Sequence, residues 1–342
     1  MTDENRPDIE GAPDRGLPTE GALLDTPPET SLDFEALDAA EGMAVEPVTQ
    51  WKLFRTRFSR HRLAMLAAAV LAFMVLLAIF ADFIPGLRDP TQPIENEAGQ
   101  LMLRMAPNSE FWFGTDNIGQ DQLSRVIYGG RTSLQVAGLT GFMVASIGTT
   151  LGAIAGYYGG WIDNLIMRFT DLVLSLPLLP VAIVAAAWLR DAFEGKEALS
   201  LAILLGSLLW GTLARIVRAE FLSLREKEFV EAARAAGAKD RRIIFRHVLP
   251  NAISPIIVNA TLVIGVAIIL EAALSFLGFG VRPPTPAWGQ MAAEGGRLAV
   301  NAGAWWALVF PSGALILTVL SVNFLGDGLR DALDPTQTIE RK

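Results

Sequence analysis

Two carboxylates stand where carboxylates are costly. Asp171 opens a long apolar run, Glu271 lies inside another, and Ser275 follows Glu271 by one helical turn. An ionisable group in such a run marks a transport path or a polar contact inside a helix bundle. Glu271 is therefore expected to avoid lipid, either lining a solute path near a cargo amino group or fixing helix packing through a buried hydrogen bond. Asp171 is expected at a helix entrance, satisfied by water or by Arg168. Other chemistry is sparse. The chain has no cysteine and only two histidines, His61 and His247, both outside the apolar runs. Thiol catalysis, disulfides and cysteine-based metal sites are excluded, and so is an intramembrane protease, which needs a Ser–His pair or paired aspartates within the apolar segments. Asp116 and Asp121 are too few ligands for a calcium site. The phosphate-binding pattern G-x-x-x-x-G-K-[ST] is absent, so no ATPase activity is expected. Catalytic residues, a metal and a bound cofactor are not expected either.

The elements that hold these residues are membrane helices. Of 342 residues, 51% are hydrophobic and 19% charged, below the roughly 25% charged that soluble domains carry. Mean hydropathy is +0.38. Six apolar segments, at about 63–84, 133–158, 169–189, 198–214, 253–279 and 304–325, each approach or exceed the length that spans a hydrocarbon core of about 30 Å. Lys52, Arg55, Arg57, Arg60 and Arg62 precede the first, and the stretch 215–250 between the fourth and fifth carries nine bases. Basic flanks stay cytoplasmic. Both patterns then agree with six crossings and with N and C termini in the cytoplasm.

Net charge is −8, but residues 1–50 alone hold thirteen acids, two arginines and six prolines. That segment cannot bury enough apolar surface to order itself. It reads as a disordered acidic cytoplasmic tail ahead of a transmembrane domain over 51–342, and it has neither the basic start nor the apolar core of a signal peptide.

The basic stretch 215–250 is the most informative. Strong helix formers fill Ser223–Ala236. Gly237 then suits the left-handed residue that ends a helix, Asp240 suits the cap of a second short helix over Arg241–Val248, and Pro250 opens the fifth apolar segment. Phe221, Leu224, Phe229, Ile243, Ile244, Phe245 and Val248 interleave with charges, as in an amphipathic element that lies on lipid or docks on a partner.

Glu231-Ala232-Ala233, three residues, Gly237, nine residues, then His247-Val248-Leu249-Pro250 resembles the EAA motif of ATP-binding-cassette importer permeases, with His247 in place of the usual isoleucine. The resemblance continues in Phe113-Gly114-Thr115-Asp116 through Arg131-Thr132-Ser133-Leu134, where Gln120 replaces a common arginine. It also covers Leu274–Gly280 with Pro283-Pro284 and Pro286-Ala287-Trp288-Gly289, and Gly326–Asp331 with Asp334-Pro335. Together these stretches span most of residues 50–336 and are similar to the second, C-type permease of dipeptide, oligopeptide and nickel importers.

The resemblance implies an all-α integral membrane protein with the type I importer permease fold, a multi-pass protein of the bacterial inner membrane. It implies four partners besides membrane lipid and no nucleic acid: a second homologous permease, two ATP-binding subunits that hold ATP and Mg, and an extracytoplasmic solute-binding protein. It assigns Glu231, Ala232, Ala233, Gly237, Leu249 and Pro250 to coupling with an ATPase, and leaves Glu271 and Ser275 as translocation-path or bundle-interior residues. Peptides are the expected cargo, with nickel or another small solute as the alternative. An ion-coupled secondary transporter would need an inverted repeat, which the sequence does not display. Apart from the family likeness, Thr115 or Asp116 is expected to cap a helix over about 118–129, Arg125 and Arg131 to anchor at the outer interface, and Trp288 to sit interfacially in a rigid turn.

Overall fold

The computed structural model describes residues 50–193 and 195–333; the expected acidic tail lies outside them. In chain order the helices are α1 (Gln50–Arg60), α2 (Arg62–Ile79), α3 (Gln122–Tyr158), α4 (Gly160–Ser175), α5 (Leu178–Ala192), α6 (Glu197–Leu224), α7 (Glu228–Ala235), α8 (Asp240–Ile243), α9 (Ile253–Phe276), α10 (Trp288–Ala302) and α11 (Trp306–Leu333). Among the described residues β pairing is limited to isolated bridges. Five helices, α2, α3, α6, α9 and α11, are long and apolar enough to cross a membrane, and the bent pair α4–α5 brings the number to six when it is counted as one span.

The expected helix bounds shift, three outward and two inward. α3 begins at Gln122 rather than near 133, α6 ends at Leu224 rather than near 214, and α11 runs to Leu333 rather than 325, while α2 stops at Ile79 and α9 at Phe276. Apolar runs trace only the part of a helix that faces hydrocarbon. At 1.5 Å per residue the 28 residues of α6 reach about 42 Å, so its last turns lie beyond the hydrocarbon core and can carry charge. Arg215 and Arg218 are thus helical and ion-paired, Arg215 to Asp171 at 2.5 Å and Arg218 to Asp163 at 2.5 and 2.6 Å. The partner of Asp171 is therefore Arg215, not Arg168.

The third apolar segment is not one helix over 169–189. α4 and α5 meet at 90°. Leu176 is extended, with φ −71° and ψ 136°, because Pro177 disfavours helical backbone in the residue before it. One side of α4 exposes Trp161, Leu165, Phe169 and Leu172. The other side brings Asp163 and Asp171 to α6. An apolar stripe with ion pairs behind it suits a helix lying along a membrane interface.

Glycines set how closely the long helices approach. Gly148, Gly152 and Gly156 recur every fourth residue on α3 and face α6. A Cβ on Gly152 would lie 2.8 Å from Val217 Cβ, and one on Gly156 would lie 2.6 Å from Arg218 O. Small residues at this spacing let helix backbones touch. The partner residues advance with the glycines along α6, so α3 and α6 run in parallel and require a crossing between them, which α4–α5 supplies.

At the opposite end of α3, residues 84–121 form an irregular cover. Asp116 is buried and pairs with buried Arg125 at 2.8 Å. Arg125 is therefore an interior residue rather than an interfacial anchor. The cap of α3 is Asp121, which accepts from Ser124 N at 2.8 Å; Thr115 and Asp116 do not start a helix. Gln120 donates to Thr91 O at 2.7 Å, a backbone contact at the position where the family pattern has an arginine. Arg131 donates to the carbonyls of Ala78 and Ile79 and to Asp82, closing the end of α2 and holding the Asp82 carboxyl below its usual range. Trp288 is not interfacial. It is 2% exposed, packs on Gly130 and donates from Nε1 to Val126 O at 2.8 Å.

Candidate functional site

The connection from α6 to α9 has a buried side and an open side. α6 ends at Leu224, so the connection is 225–252 rather than 215–250. Arg225 turns the chain and donates from Nη1 to the carbonyls of Gly156 and Tyr157 at 3.2 and 3.3 Å. These carbonyls at the end of α3 lack helical partners, so a guanidinium there satisfies them directly.

α7 follows. Its sequence Glu-Phe-Val-Glu-Ala-Ala-Arg-Ala places acids in the first turn and an arginine in the last, the order that favours a helix dipole. Val230 is fully buried against a core that includes Leu213, Val217 and Phe221 of α6 and Val144 and Tyr157 of α3. On the outer side Glu231 and Ala232 are exposed, Ala233 is half-buried and Phe229 is 41% exposed. Gly237 ends the helix with φ +78° and nothing within 4 Å of where a Cβ would stand. Glycine is required there by backbone conformation, not by space.

The second short element returns to the bundle. Lys239, not Asp240, is the residue before α8. Asp240 is the first helical residue, and its Oδ1 accepts from Tyr157 Oη at 2.8 Å. A hydrogen bond from α3 thus takes up the carboxylate that the sequence suggested as a cap. A π-helical turn, Ile244–Val248, continues α8. Ile243 and Val248 are fully buried in the same core as Val230, with Leu249 packed on it, and Pro250 is exposed just ahead of α9. The arrangement is a helix–turn–helix whose back is packed into the core of α3 and α6 and whose front presents Glu231 and Ala232. It can pass a push at α7 to the long helices through packed side chains rather than through a flexible loop. The structure brings Glu231, Ala232, Ala233, Gly237, Leu249 and Pro250 into one element.

Glu271 and Ser275 lie elsewhere, near the other end of α9. Glu271 is fully buried within the chain. Its Oε1 accepts from Ser275 Oγ at 2.7 Å and its Oε2 from Ser133 Oγ at 3.3 Å. Ser133 in turn accepts from Trp288 N at 3.1 Å. The carboxyl group joins α3, α9 and the start of α10. Sequence reasoning missed Ser133, Asp163, Arg218 and Tyr157, which face their partners across 55 or more positions.

The family described as "Binding-protein-dependent transport system inner membrane component" matches residues 148–339, and "N-terminal TM domain of oligopeptide transport permease C" matches 49–106. The dipeptide transport system permease protein DppC of Alkalihalophilus pseudofirmus is 42% identical over 84% of this chain and 90% of its own length. The glutathione transport system permease protein GsiD of Escherichia coli is 42% identical over 84% and 91%. Among solved structures, the inward-facing MetNI methionine ABC transporter contains a chain that superposes with a TM-score of 0.50 at 19% identity, covering 61% of this chain and 96% of that one. That likeness is one of fold. The sequence relatives extend along nearly the whole described region, including the helix–turn–helix before α9. The chain accordingly belongs to the family of binding-protein-dependent transport system inner membrane components, the multi-pass permease subunits of ATP-binding-cassette importers.

Proposed function

We propose that this permease carries peptides into the cytoplasm by alternating access, driven through α7 by separate ATPase subunits. The observation that carries the coupling is the two-sidedness of 225–252: Glu231 and Ala232 are free on the outer face while Val230, Ile243 and Val248 are locked into the core of α3 and α6. Two ATPases closing on ATP and Mg would press on this face, one on each permease, and tilt the helices behind it. Glu231 would set register against a basic group of the ATPase, and Ala232 and Ala233 would allow close approach. A second, related permease completes the path, and an extracytoplasmic binding protein delivers cargo. This places the 225–252 end of the bundle and both termini in the cytoplasm.

Peptide cargo is favoured by the relatives, a dipeptide and a glutathione permease. Reconstituted vesicles with this chain, its partner permease, both ATPases and the binding protein should accumulate a labelled dipeptide only when ATP is present on the ATPase side. Accumulation without the ATPases would indicate an ion-coupled carrier. Uptake of a nickel complex with no uptake of peptide would replace the cargo and leave the coupling untouched.

A further inference from the structure

The helix that returns from Gly237 to the bundle has an outer face that the lever does not use. Ile243 and Val248 are fully buried, and Asp240 is bonded to Tyr157. Lys239, Arg241, Arg242, Phe245 and Arg246 point the other way, are all exposed and line one shallow groove. Among the described residues none of these four bases pairs with a carboxylate. Phe245 stands between them with 62% of its surface exposed.

Four like charges without counterions repel one another, and an exposed phenyl ring among them gains nothing from water. Both conditions are relieved at the headgroup layer of an anionic bilayer, where phosphates neutralise the bases and aromatic rings settle at the interface. The position in the chain fits that layer. Arg246 is followed within seven residues by Ile253, the first residue of the membrane helix α9. The outer face of α7 is different: Glu228 and Glu231 offset its single arginine, and it precedes the turn that leads back to the bundle.

We propose that Lys239, Arg241, Arg242 and Arg246, with Phe245 among them, form a binding site for the phosphate headgroup of an anionic phospholipid in the cytoplasmic leaflet. The proposal rests on the cytoplasmic placement of 225–252 given above. The lipid would hold the return helix at the membrane surface and give the lever a fulcrum, so that movement at α7 turns into tilt of α3 and α6 rather than displacement of the whole loop.

The test uses the complete transporter, purified in detergent and titrated with micelles carrying phosphatidylglycerol or phosphatidylcholine. Native mass spectrometry counts the bound lipid. The wild-type complex should take up phosphatidylglycerol preferentially. The double substitution Arg242→Gln, Arg246→Gln should weaken the first bound phosphatidylglycerol by about fivefold for each base removed, the strength of one basic residue near an anionic surface. Arg242→Lys with Arg246→Lys should keep most of that affinity, because the attraction is one of charge. Copurifying ATPase should be the same in all three proteins. Equal phosphatidylglycerol affinity in wild type and the Gln pair would overturn the proposal. So would loss of ATPase from the Gln pair, which would assign the groove to the ATPase, or displacement of the lipid by inorganic phosphate, which would assign it to a soluble anion. Failure of the coupling role of Glu231 would leave the lipid readout unchanged, so the two ideas fail separately.

Discussion

Glu271 is the residue whose environment most constrains its role. A carboxyl with no exposure inside this chain, holding Ser133 and Ser275, acts as a pin between α3 and α9. Removing the acceptor leaves two buried hydroxyls and the Trp288 N–H contact disturbed, at about 1–3 kcal/mol for each unsatisfied group. Glu271→Leu should therefore lower the thermal unfolding midpoint of the detergent-solubilised protein markedly. Glu271→Gln keeps one acceptor oxygen and places an NH2 donor at the other, which a serine hydroxyl can accept, so it should stay much closer to wild type than Leu in stability and keep transport. A path-lining role predicts a different outcome for the same variant: Gln would unfold normally but lose uptake. Paired unfolding and uptake measurements decide between them. The spacing of Glu271 and Ser275 is visible in the sequence as one helical face. Ser133 is not, because nothing local in a sequence shows which helix supplies the third group.

At the scale of elements, the bundle depends on the approach of α3 and α6. The carbonyl oxygen of Ala214 lies 2.5 Å from where a Cβ on Gly152 would stand, with Val217 Cβ and the Arg218 nitrogen next, and none of these atoms can rotate away without moving the backbone. Overpacking of this kind costs about 1–3 kcal/mol when a core can adjust. Gly152→Leu should do at least that much harm and reduce the yield of folded protein, measurable as the monodisperse fraction after solubilisation. Gly138, which would meet nothing within 4 Å, is the control on the same helix and should tolerate alanine. The apolar runs are enough to locate the spanning helices, since length and hydropathy decide insertion. They misjudge the ends because charged residues such as Arg215 and Arg218 find carboxylates beyond the hydrocarbon core. They also merge α4 with α5, because both sides of the Leu176–Pro177 break are equally apolar. α10 reads as an external turn for a related reason: its partners, Gly130 and Val126, are more than 150 positions away.

For the whole molecule, the family and the six-span pattern define a multi-pass inner-membrane permease, and the orientation proposed here follows from the basic flank of α2 and the bases around 225–252. A reporter fused after Lys342 should be active only in the cytoplasm, and one inserted near Glu95, in the cover of residues 84–121, only on the outer side. A cytoplasmic signal at Glu95 would reverse the molecule and separate α7 from any ATPase. The motif through Gly237 makes the helix–turn–helix legible in the sequence, because a glycine after a helix and a proline ahead of a membrane span have local causes. The depth to which Val230, Ile243 and Val248 are anchored has no such local sign. The central claim is that α7 acts as a rigid lever between ATPase and bundle, and two substitutions address it together. Gly237→Val places a β-branched residue at φ +78°, where even an ordinary side chain costs about 1–2 kcal/mol. Glu231→Lys sets a positive charge against the expected basic group, at a cost of roughly a few kcal/mol if the contact is desolvated. The decisive measurement is ATP hydrolysis by the purified complex with and without cargo-loaded binding protein, alongside the amount of ATPase that copurifies. Both variants should insert normally, and each should lose copurifying ATPase or the stimulation by cargo; wild-type copurification and wild-type stimulation in both would contradict the lever role of α7.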